Sequence, residues 1–443
     1  MVDGNPSLRP PLHGNDPEPP QTCSWVLLDV HAYVADRQNS TSACAVTSDG
    51  AHVVRVTFCA APPPLVSYIC VWSPSSNQIN KIVPEPIVEG AGSDLLLLEV
   101  NVRGRRDADY FVYKANAGRF GPSLQLIRLP EPCLRQHSCI ALLSHRDVVP
   151  NGEEDDCCCY YYVAVLHYHS GNVPDCVRKL WIFDSKQGQW SSRLVSLHCP
   201  LHHLPTKAIA LGEEHGLLGF VDPRRGVLVC DVLGRTPPRY LQLPPNLVRD
   251  DKKFETAMLS RDIVVAEGRL TVVDLRRATE PDINQEWNWE VSTWSRKVTG
   301  DLWEEDWHND YNVRCPDILV DEDTDNADLL PVHKDSQGTP RPTLGNFYIA
   351  HHTLSLSDSH VVYIMAKVGR RDKKALVLSV DMKKPRLQGV AVFDAERMYG
   401  VIFSYAYTQS WIPKYFNTTL AGTNQTHAGD EQPILTHRHR QSV

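Results

Sequence analysis

The stretch Leu180–Trp190, LWIFDSKQGQW, decides the fold that we predict for this chain. An apolar run ends at Asp184, a short polar turn with Gly188 follows, and Trp190 opens the next run. Aromatic and β-branched residues favour strands, whereas Asp and Gly favour the tight turns that join them. The stretch therefore predicts two antiparallel strands connected by a hairpin.

The same pattern recurs along the chain. VLVCDVLGRTPPRYLQL has Asp231 at the turn, WEVSTWSRKVTGDLW has Thr293, and LVLSVDMKKPRLQGV has Asp381. The separation of Asp184 from Asp231 is close to the ~40 to 45 residues of one blade in a β-propeller. The later separations are longer, so we expect a degenerate repeat with inserted loops.

Short apolar runs bounded by Gly, Pro, Asp or Asn continue from Trp25 almost to the end of the chain. We find no amphipathic helix of ~12 residues, although residues 246–258 and 395–400 have room for a helical turn or two. Many runs are apolar at odd and even positions alike, which indicates strands covered on both faces. The sequence predicts an all-β fold, a β-propeller-like array of about six four-stranded blades. The alternative is two stacked β-sandwich or barrel domains.

Composition divides the chain into three parts. Residues 1–22 are rich in Pro and polar residues and predict a disordered leader, residues 23–416 a single propeller-like domain, and residues 417–443 a disordered tail. Inside the domain, residues 301–342 begin with many Asp and Glu and remain polar. They predict a surface insertion.

Charge and cysteine content restrict the class of protein. The net charge of −8 over 443 residues speaks against general nucleic-acid binding. No apolar run reaches ~18 residues, and the first residues lack the apolar core of a secretory signal. The 13 cysteines are odd in number and contain no C-x-x-C spacing, which favours reduced thiols. We expect no membrane association, no cofactor, and a cytoplasmic or nuclear location.

Several sequence segments with a strand-and-turn pattern resemble those of a known family. GLLGFVDPRRGVLVCDVL, RDIVVAEGRL, LSLSDSHVVYIMAK and VLSVDMKKPRLQGVAVFD resemble the plant family, expanded in grasses, that is called domain of unknown function 1618. The signature region covers about residues 218–365. The resemblance implies a plant protein, and it brings no reaction, cofactor or catalytic residue with it.

A candidate metal site lies in DDCCCYYYVAVLHYH, residues 155–169, where four possible ligands share one strand face. His167 lies eight positions beyond Cys159, or ~26 Å along a strand, whereas one ion needs ligands at ~2.0–2.3 Å. Cys157 and Cys159 therefore cannot share an ion with His167 and His169. The favoured interpretation is a buried strand. The two histidines with a ligand from residues 198–203, HCPLHH, remain the alternative.

Five of the ten tryptophans crowd into 21 residues beside the acidic stretch. Packing between blades is the first interpretation. The second is an interaction surface, because Trp is enriched at binding hot spots. The candidate surface consists of Trp287, Trp289, Trp294, Trp303 and Trp307.

No motif for catalysis or phosphate binding is present: G-x-S-x-G, H-E-x-x-H and the P-loop pattern are all absent. We therefore expect a non-catalytic interaction scaffold that binds a protein or peptide. The alternative is a hydrolase with its active site in a central propeller funnel. The sequence leaves enzymatic activity undecided and favours its absence.

Overall fold

The computed structural model describes most of the chain between residues 5 and 416. The described ranges are 5–14, 23–74, 82–83, 85–103, 105, 107–116, 121–130, 139–146, 159–168, 177–196, 203–212, 215–248, 254–277, 288–298, 306–334, 338–345, 347–369, 371–398 and 405–416. Within them lie 28 strands and two short helices. Neither helix has the length and apolarity that crossing a membrane requires.

Six sheets surround a central channel and form the blades of a β-propeller, as the sequence predicts. Blade 1 contains β1 (Val26–Asp29), β2 (Tyr33–Val34), β3 (Ala43–Val46), β4 (Val53–Cys59) and β5 (Val66–Trp72). Blade 2 contains β6 (Ile87–Ala91), β7 (Leu95–Val100), β8 (Asp109–Lys114) and β9 (Ser123–Ile127). Blade 3 contains β10 (Cys139–Arg146), β11 (Cys159–Tyr168), β12 (Val177–Asp184) and β13 (Gln189–Ser196).

The second half of the chain continues the ring. Blade 4 contains β14 (Lys207–Gly212), β15 (Leu217–Asp222), β16 (Gly226–Asp231) and β17 (Arg239–Gln242). The helix α1 (Phe254–Ser260) leads to blade 5, which contains β18 (Arg261–Ala266), β19 (Arg269–Arg277), β20 (Trp289–Lys297) and β21 (His308–Arg314). A small ribbon of β22 (Val332–Lys334) and β23 (Pro340–Pro342) precedes blade 6, which contains β24 (Tyr348–Leu354), β25 (Val361–Lys367), β26 (Lys374–Asp381) and β27 (Arg386–Asp394). The strand β28 (Tyr407–Ser410) and the helix α2 (Pro413–Phe416) follow.

Blades 2 to 6 are antiparallel meanders whose first strand is the innermost. Blade 1 is built differently, because its innermost strand is β28 from the far end of the chain. β28 pairs antiparallel with β1, with Val26 opposite Ser410, and β1 and β2 each pair parallel with β5. The ring is therefore closed by a sheet that joins the first and last strands.

Strand β11 shows why apolar residues occupy both of its faces. Its odd-numbered residues Tyr161, Val163 and Val165 are buried against blade 2, and its even-numbered neighbours are buried against blade 4. A blade packed between two others has no solvent face, so alternating polarity would leave polar groups buried. The prediction that this stretch is a strand covered on both faces is confirmed.

The predicted hairpins are present at three of the four positions. Asp184, Asp231 and Asp381 each end the third strand of their blade, and the side chain of each accepts the backbone N–H two residues ahead at 2.8 or 2.9 Å. This local hydrogen bond shapes the turn. Thr293 differs, because it lies inside β20 and not at its end.

The structure describes parts of the predicted leader and of the predicted insertion. Residues 5–14, inside the predicted disordered leader, pack on blade 1, where the hydroxyl of Tyr68 donates to the carbonyl oxygens of Pro11 at 3.0 Å and His13 at 2.8 Å. In the predicted insertion, His308–Arg314 forms the outermost strand of blade 5 because β20 offers it a free edge. The insertion proper therefore begins after β21.

Candidate functional site

Three of the inner strands carry one extra residue opposite the neighbouring strand. The register shifts between Val88 and Gly90 in β6, between Ala210 and Gly212 in β14, and between Ala350 and His352 in β24. The extra residues are Glu89, Leu211 and His351, in blades 2, 4 and 6. A bulge re-aims the side chain of its extra residue, and bulges are common beside functional sites. The channel wall is therefore irregular at these three places.

A polar cluster joins four blades at the channel. Lys207 of β14 lies 2.8 Å from Asp262 of β18 and 3.3 Å from the amide oxygen of Gln409 of β28. The other oxygen of Asp262 accepts from the hydroxyl of Thr353 in β24 at 2.5 Å and from the amide of Gln409 at 3.0 Å. Each group has a partner on another blade, so the cluster ties the blades together.

The cluster holds its two charges in place. Burial alone would lower the pKa of Lys207, but the charge and hydrogen bond of Asp262 outweigh it and the pKa is raised. Burial alone would raise the pKa of Asp262, but Lys207 and the hydroxyl of Thr353 outweigh it and the pKa is lowered. Both groups are therefore charged at neutral pH and neutralise each other, which leaves neither poised for proton transfer.

Two adjacent histidines lie beside this cluster in β24. The Nε2 atom of His351 is 2.9 Å from the carbonyl oxygen of Tyr407, and that of His352 is 2.8 Å from the carbonyl oxygen of Val273. Burial lowers the pKa of His351 to about 4 and also lowers that of His352. Both rings are therefore neutral at pH 7 and act as hydrogen-bonding links between blades.

A pair of carboxyl groups forms part of the opposite wall. Glu89 lines the channel from β6 and hydrogen bonds to Glu99 of β7. The oxygens of Glu99 also accept from the hydroxyl of Tyr110 at 3.0 Å and from the amide of Asn101 at 3.4 Å. Glycosidases place their two carboxyl groups ~5 to 9 Å apart across the substrate. Two carboxyl groups that bond to each other do not have that arrangement.

The insertion after β21 runs along the outermost strand of blade 6. The backbone N–H of Leu319 donates to Pro385 at 3.0 Å, and that of Asp325 donates to Gln388 at 3.0 Å. Residues 319 and 325 pair parallel with β27 at Arg386 and Gly389. An exposed edge strand invites association with other strands. The insertion covers this edge and is itself held by the blade.

The surface that results, which we name the acidic edge, comprises residues 317–332. Leu319 is 56% exposed and Val332 is 63% exposed. Around them the exposed acidic residues Glu322, Asp325 and Asp328 have no ion-pair partner among the residues that the structure describes. The acidic edge thus combines negative charge with exposed aliphatic side chains.

The three described tryptophans of the candidate surface are divided between two cores, with Trp294 and Trp307 on the same one. Trp289 is buried between blades 5 and 6, and Trp294 packs on the other side of β20 against the core shared with blade 4. Trp307 is half-buried and donates to the carbonyl oxygen of Gln242 at 2.9 Å. Trp287 and Trp303 lie outside the described residues. An interaction role for these residues stays a prediction.

The predicted metal ligands are only partly described. His167 is buried in β11, whereas Cys157, His169 and residues 198–202 lie outside the described residues, and Cys159 is described only in its backbone. His203 is buried with its Nε2 atom 3.1 Å from the carbonyl oxygen of Phe220. The described residues contain no group of three His, Cys, Asp or Glu that could hold a metal ion.

Sequence reasoning missed the polar cluster and the carboxyl pair. One signal was available, since AHHT in Tyr348–Leu354 places two histidines inside an otherwise apolar strand. Polar residues within a strand covered on both faces need buried partners. The sequence does not reveal which partners they have.

Residues 220–363 match the family described as "Protein of unknown function (DUF1618)". This is the family that the sequence segments quoted above resemble. The match covers the end of β15 to the middle of β25, so it includes His351, His352 and the acidic edge. No curated protein sequence matches the chain significantly.

Among solved structures, the chain is similar to the WD40 domain of SCAP from fission yeast, with 13% identity over 81% of this chain and 77% of that chain and a TM-score of 0.27. It is also similar to the SapL1 lectin in complex with alpha methyl fucoside, with 10% identity over 81% and 96% of the two chains and a TM-score of 0.32. A prolyl endopeptidase is 12% identical over 80% of this chain and 42% of that chain, with a TM-score of 0.30. These likenesses carry no argument about function.

Proposed function

We propose that this chain is a non-catalytic interaction scaffold that binds a protein or peptide through the acidic edge of blade 6. The observation that carries the proposal is the combination, on one backbone segment, of exposed Leu319 and Val332 with acidic side chains that have no ion-pair partner in the described part of the chain. A surface of this kind favours a partner with basic and aliphatic residues, because charges of opposite sign steer association and aliphatic contacts supply burial.

Side-chain hydrogen bonds and ion pairs that hold the acidic edge on blade 6 support this role. Thr324 donates to the carbonyl oxygen of Leu387 at 2.9 Å, and Asn326 donates to that of Val390 at 3.0 Å. Arg386 of β27 also lies 3.0 Å from Asp321 and 3.0 Å from Asp323. A segment that is ordered before binding loses less conformational entropy when the partner arrives.

The experiment compares affinity capture by the wild-type chain, the double variant Leu319→Asp/Val332→Asp, and Leu194→Asp. Leu194 lies on β13 and is 66% exposed, so it controls for adding charge at an exposed aliphatic site elsewhere. We expect the same partners with the wild type and the control, and their loss from the double variant. Equal recovery from all three chains would refute the acidic edge as the binding element.

A charge test separates the two contributions. Glu322→Lys/Asp328→Lys should weaken capture and reduce its dependence on salt, because the partner's basic residues lose their attraction. Asp107→Lys, at an exposed acidic residue on blade 2, is the matched control. If both charge variants capture the partner equally, the negative charge of the acidic edge has no part in binding.

A further inference from the structure

The central channel contains a cavity of about 390 Å³, lined by the inner strands of blades 1 to 5 and by Leu356 after the inner strand of blade 6. A volume of this size falls within the range of small-molecule sites, which are mostly apolar with a few placed polar groups. Much of this wall is aliphatic. Its aliphatic residues include Val88, Ile140, Leu142, Ile209, Leu211 and Val265.

The two charged groups among the described residues of the wall differ in whether a group of opposite charge contacts them. Lys207 is neutralised by Asp262 at 2.8 Å, so it offers little net charge to a ligand. Glu89 faces the cavity from the bulge of β6, and its hydrogen-bond partner is another carboxyl group, Glu99. The described residues place no cationic side chain in ion-pair contact with either carboxyl group. Among the residues that the structure describes, the cavity thus has one acidic corner without a counter-charge.

The hydrogen bonds made by Glu99 determine which of the two carboxyl groups is available to a ligand in the cavity. Tyr110 and Asn101 donate to its two oxygens, so Glu99 is held as an acceptor behind the wall. Glu89 is the carboxyl group that lines the cavity. Trp411 and Tyr405 add two aromatic rings to the same lining. Aromatic faces attract organic cations.

We propose that the central channel binds a small organic amine whose ammonium group pairs with Glu89 and whose hydrocarbon part lies against the aliphatic wall. A divalent metal ion fits this cavity poorly, because hard cations require six or more oxygen ligands, whereas Glu89 is the one carboxylate among the lining residues that the structure describes. An anion fits poorly as well, because the one lysine of the lining is already paired.

Binding should be linked to a proton. Burial, and then the charge of Glu99 and the hydrogen bond with it, raise the pKa of Glu89 to about 7. The titratable groups that act on Glu89 or are acted on by it are Glu99 on β7, Tyr110 on β8 and Cys139 on β10. An ammonium group takes the place of the proton, so binding releases a proton near pH 7 and tightens as the pH rises from 6 to 8.

The test is isothermal titration calorimetry of the full chain with 1,4-diaminobutane, in two buffers of different ionisation enthalpy, at pH 6, 7 and 8. The matched probes are 1,4-butanediol, which is neutral, and succinate, which is anionic. We expect binding of the diamine alone, proton release at pH 7, and affinity at least several-fold higher at pH 8 than at pH 6.

Glu89→Gln should weaken diamine binding about tenfold or more and abolish the proton release, whereas Asp107→Asn, at an exposed acidic residue that does not line the cavity, should leave both unchanged. Proton release by the wild type keeps the proposal testable if Glu89→Gln does not fold. Undetectable diamine binding, equal binding of butanediol or succinate, tighter binding of Ca²⁺ or Mg²⁺, or pH-independent binding would each overturn the proposal. Because the acidic edge lies on another surface, this result is independent of the proposed scaffold function.

Discussion

Arg397 and Asp29 form a buried ion pair that joins the loop after β27 to the end of β1. Each side chain is 4% exposed, and the guanidinium group of Arg397 also lies 3.7 Å from the ring centre of Tyr33. A second nitrogen of Arg397 donates to the carbonyl oxygen of His31 at 2.8 Å. One arginine therefore connects the end of blade 6 with blade 1 at the place where the ring closes.

Removing one member of this pair should cost much of the stability of the protein. We expect Asp29→Ala to lower the free energy of unfolding by about 3 to 5 kcal/mol, because it leaves a buried guanidinium group without its counter-charge. The control is Asp317→Ala, which breaks the exposed pair with Arg314 and should change the free energy of unfolding far less, because water screens exposed ion pairs. Urea unfolding measures both values. Equal losses would show that the ring does not depend on the buried pair.

Gly226 should not tolerate a methyl group. A Cβ atom at this position would lie 2.2 Å from the carbonyl oxygen of Leu241, which is backbone and cannot turn aside. Gly226→Ala should therefore lower the free energy of unfolding by about 1 to 3 kcal/mol. Gly212→Ala is the control, because its Cβ atom would meet nothing closer than 3.7 Å. A wild-type melting temperature for Gly226→Ala would contradict the packing of β16 against β17.

Acid should weaken the fold before the carboxyl groups titrate. Burial lowers the pKa of His203 and of His351 to about 4, so the unfolded chain takes up protons between about pH 6.5 and 4 while the folded chain does not. Stability is then full above the unfolded pKa and falls as the pH drops, by about 1.4 kcal/mol per pH unit for each histidine.

Substituting His351 measures how much this histidine contributes to the dependence of the free energy of unfolding on pH. His351 has φ of +46°, a conformation that Asn accepts better than most residues, so His351→Asn removes the titrating ring and keeps the backbone. Unfolding in urea between pH 7 and 4.5 should show a shallower slope for this variant. His333→Asn, at an exposed position of β22, should keep the wild-type slope. If the free energy of unfolding had the same pH dependence in the wild type, His351→Asn and His333→Asn, His351 would not be buried in its neutral form.

The described thiols should differ sharply in reactivity. Cys44 is exposed on β3, whereas Cys23, Cys59, Cys70, Cys139, Cys230 and Cys315 are buried. Burial also raises the pKa of Cys139 and Cys230 to about 12, which suppresses their reactive thiolate forms. Brief alkylation followed by peptide mass spectrometry should modify Cys44 and spare these six. Rapid modification of Cys139 in the folded protein would contradict the packing of blade 3.

The parts of the fold that the sequence predicts are those governed by local interactions. Asp184, Asp231 and Asp381 shape their hairpins with hydrogen bonds to residues two positions ahead, so the signal lies within a few letters. Tyr161 and Tyr162 face different blades, and the apolar residues at odd and even positions alike predict a strand covered on both faces.

The site could not be predicted in the same way. Lys207 and Gln409 meet across 202 positions, and Asp262 and Gln409 across 147. No spacing rule connects residues that far apart, because the ring geometry brings them together. The bulge at Glu89 is also invisible in the sequence, since one extra residue in a strand leaves the apolar pattern almost unchanged.

The shared sheet of β1 and β28 has a consequence for synthesis of the protein. Asp29 and Arg397 are 368 positions apart, and at ~5 to 20 residues per second the ribosome needs on the order of 20 to 70 s to make the chain between them. Throughout that interval, the apolar strand Val26–Asp29 has no inner partner, although blades 2 to 6 can form as they emerge. The nascent chain therefore leaves the inner edge of β1 unpaired until β28 emerges, although β5 can already pair with the other edge, and this inner edge is where we expect chaperones to bind.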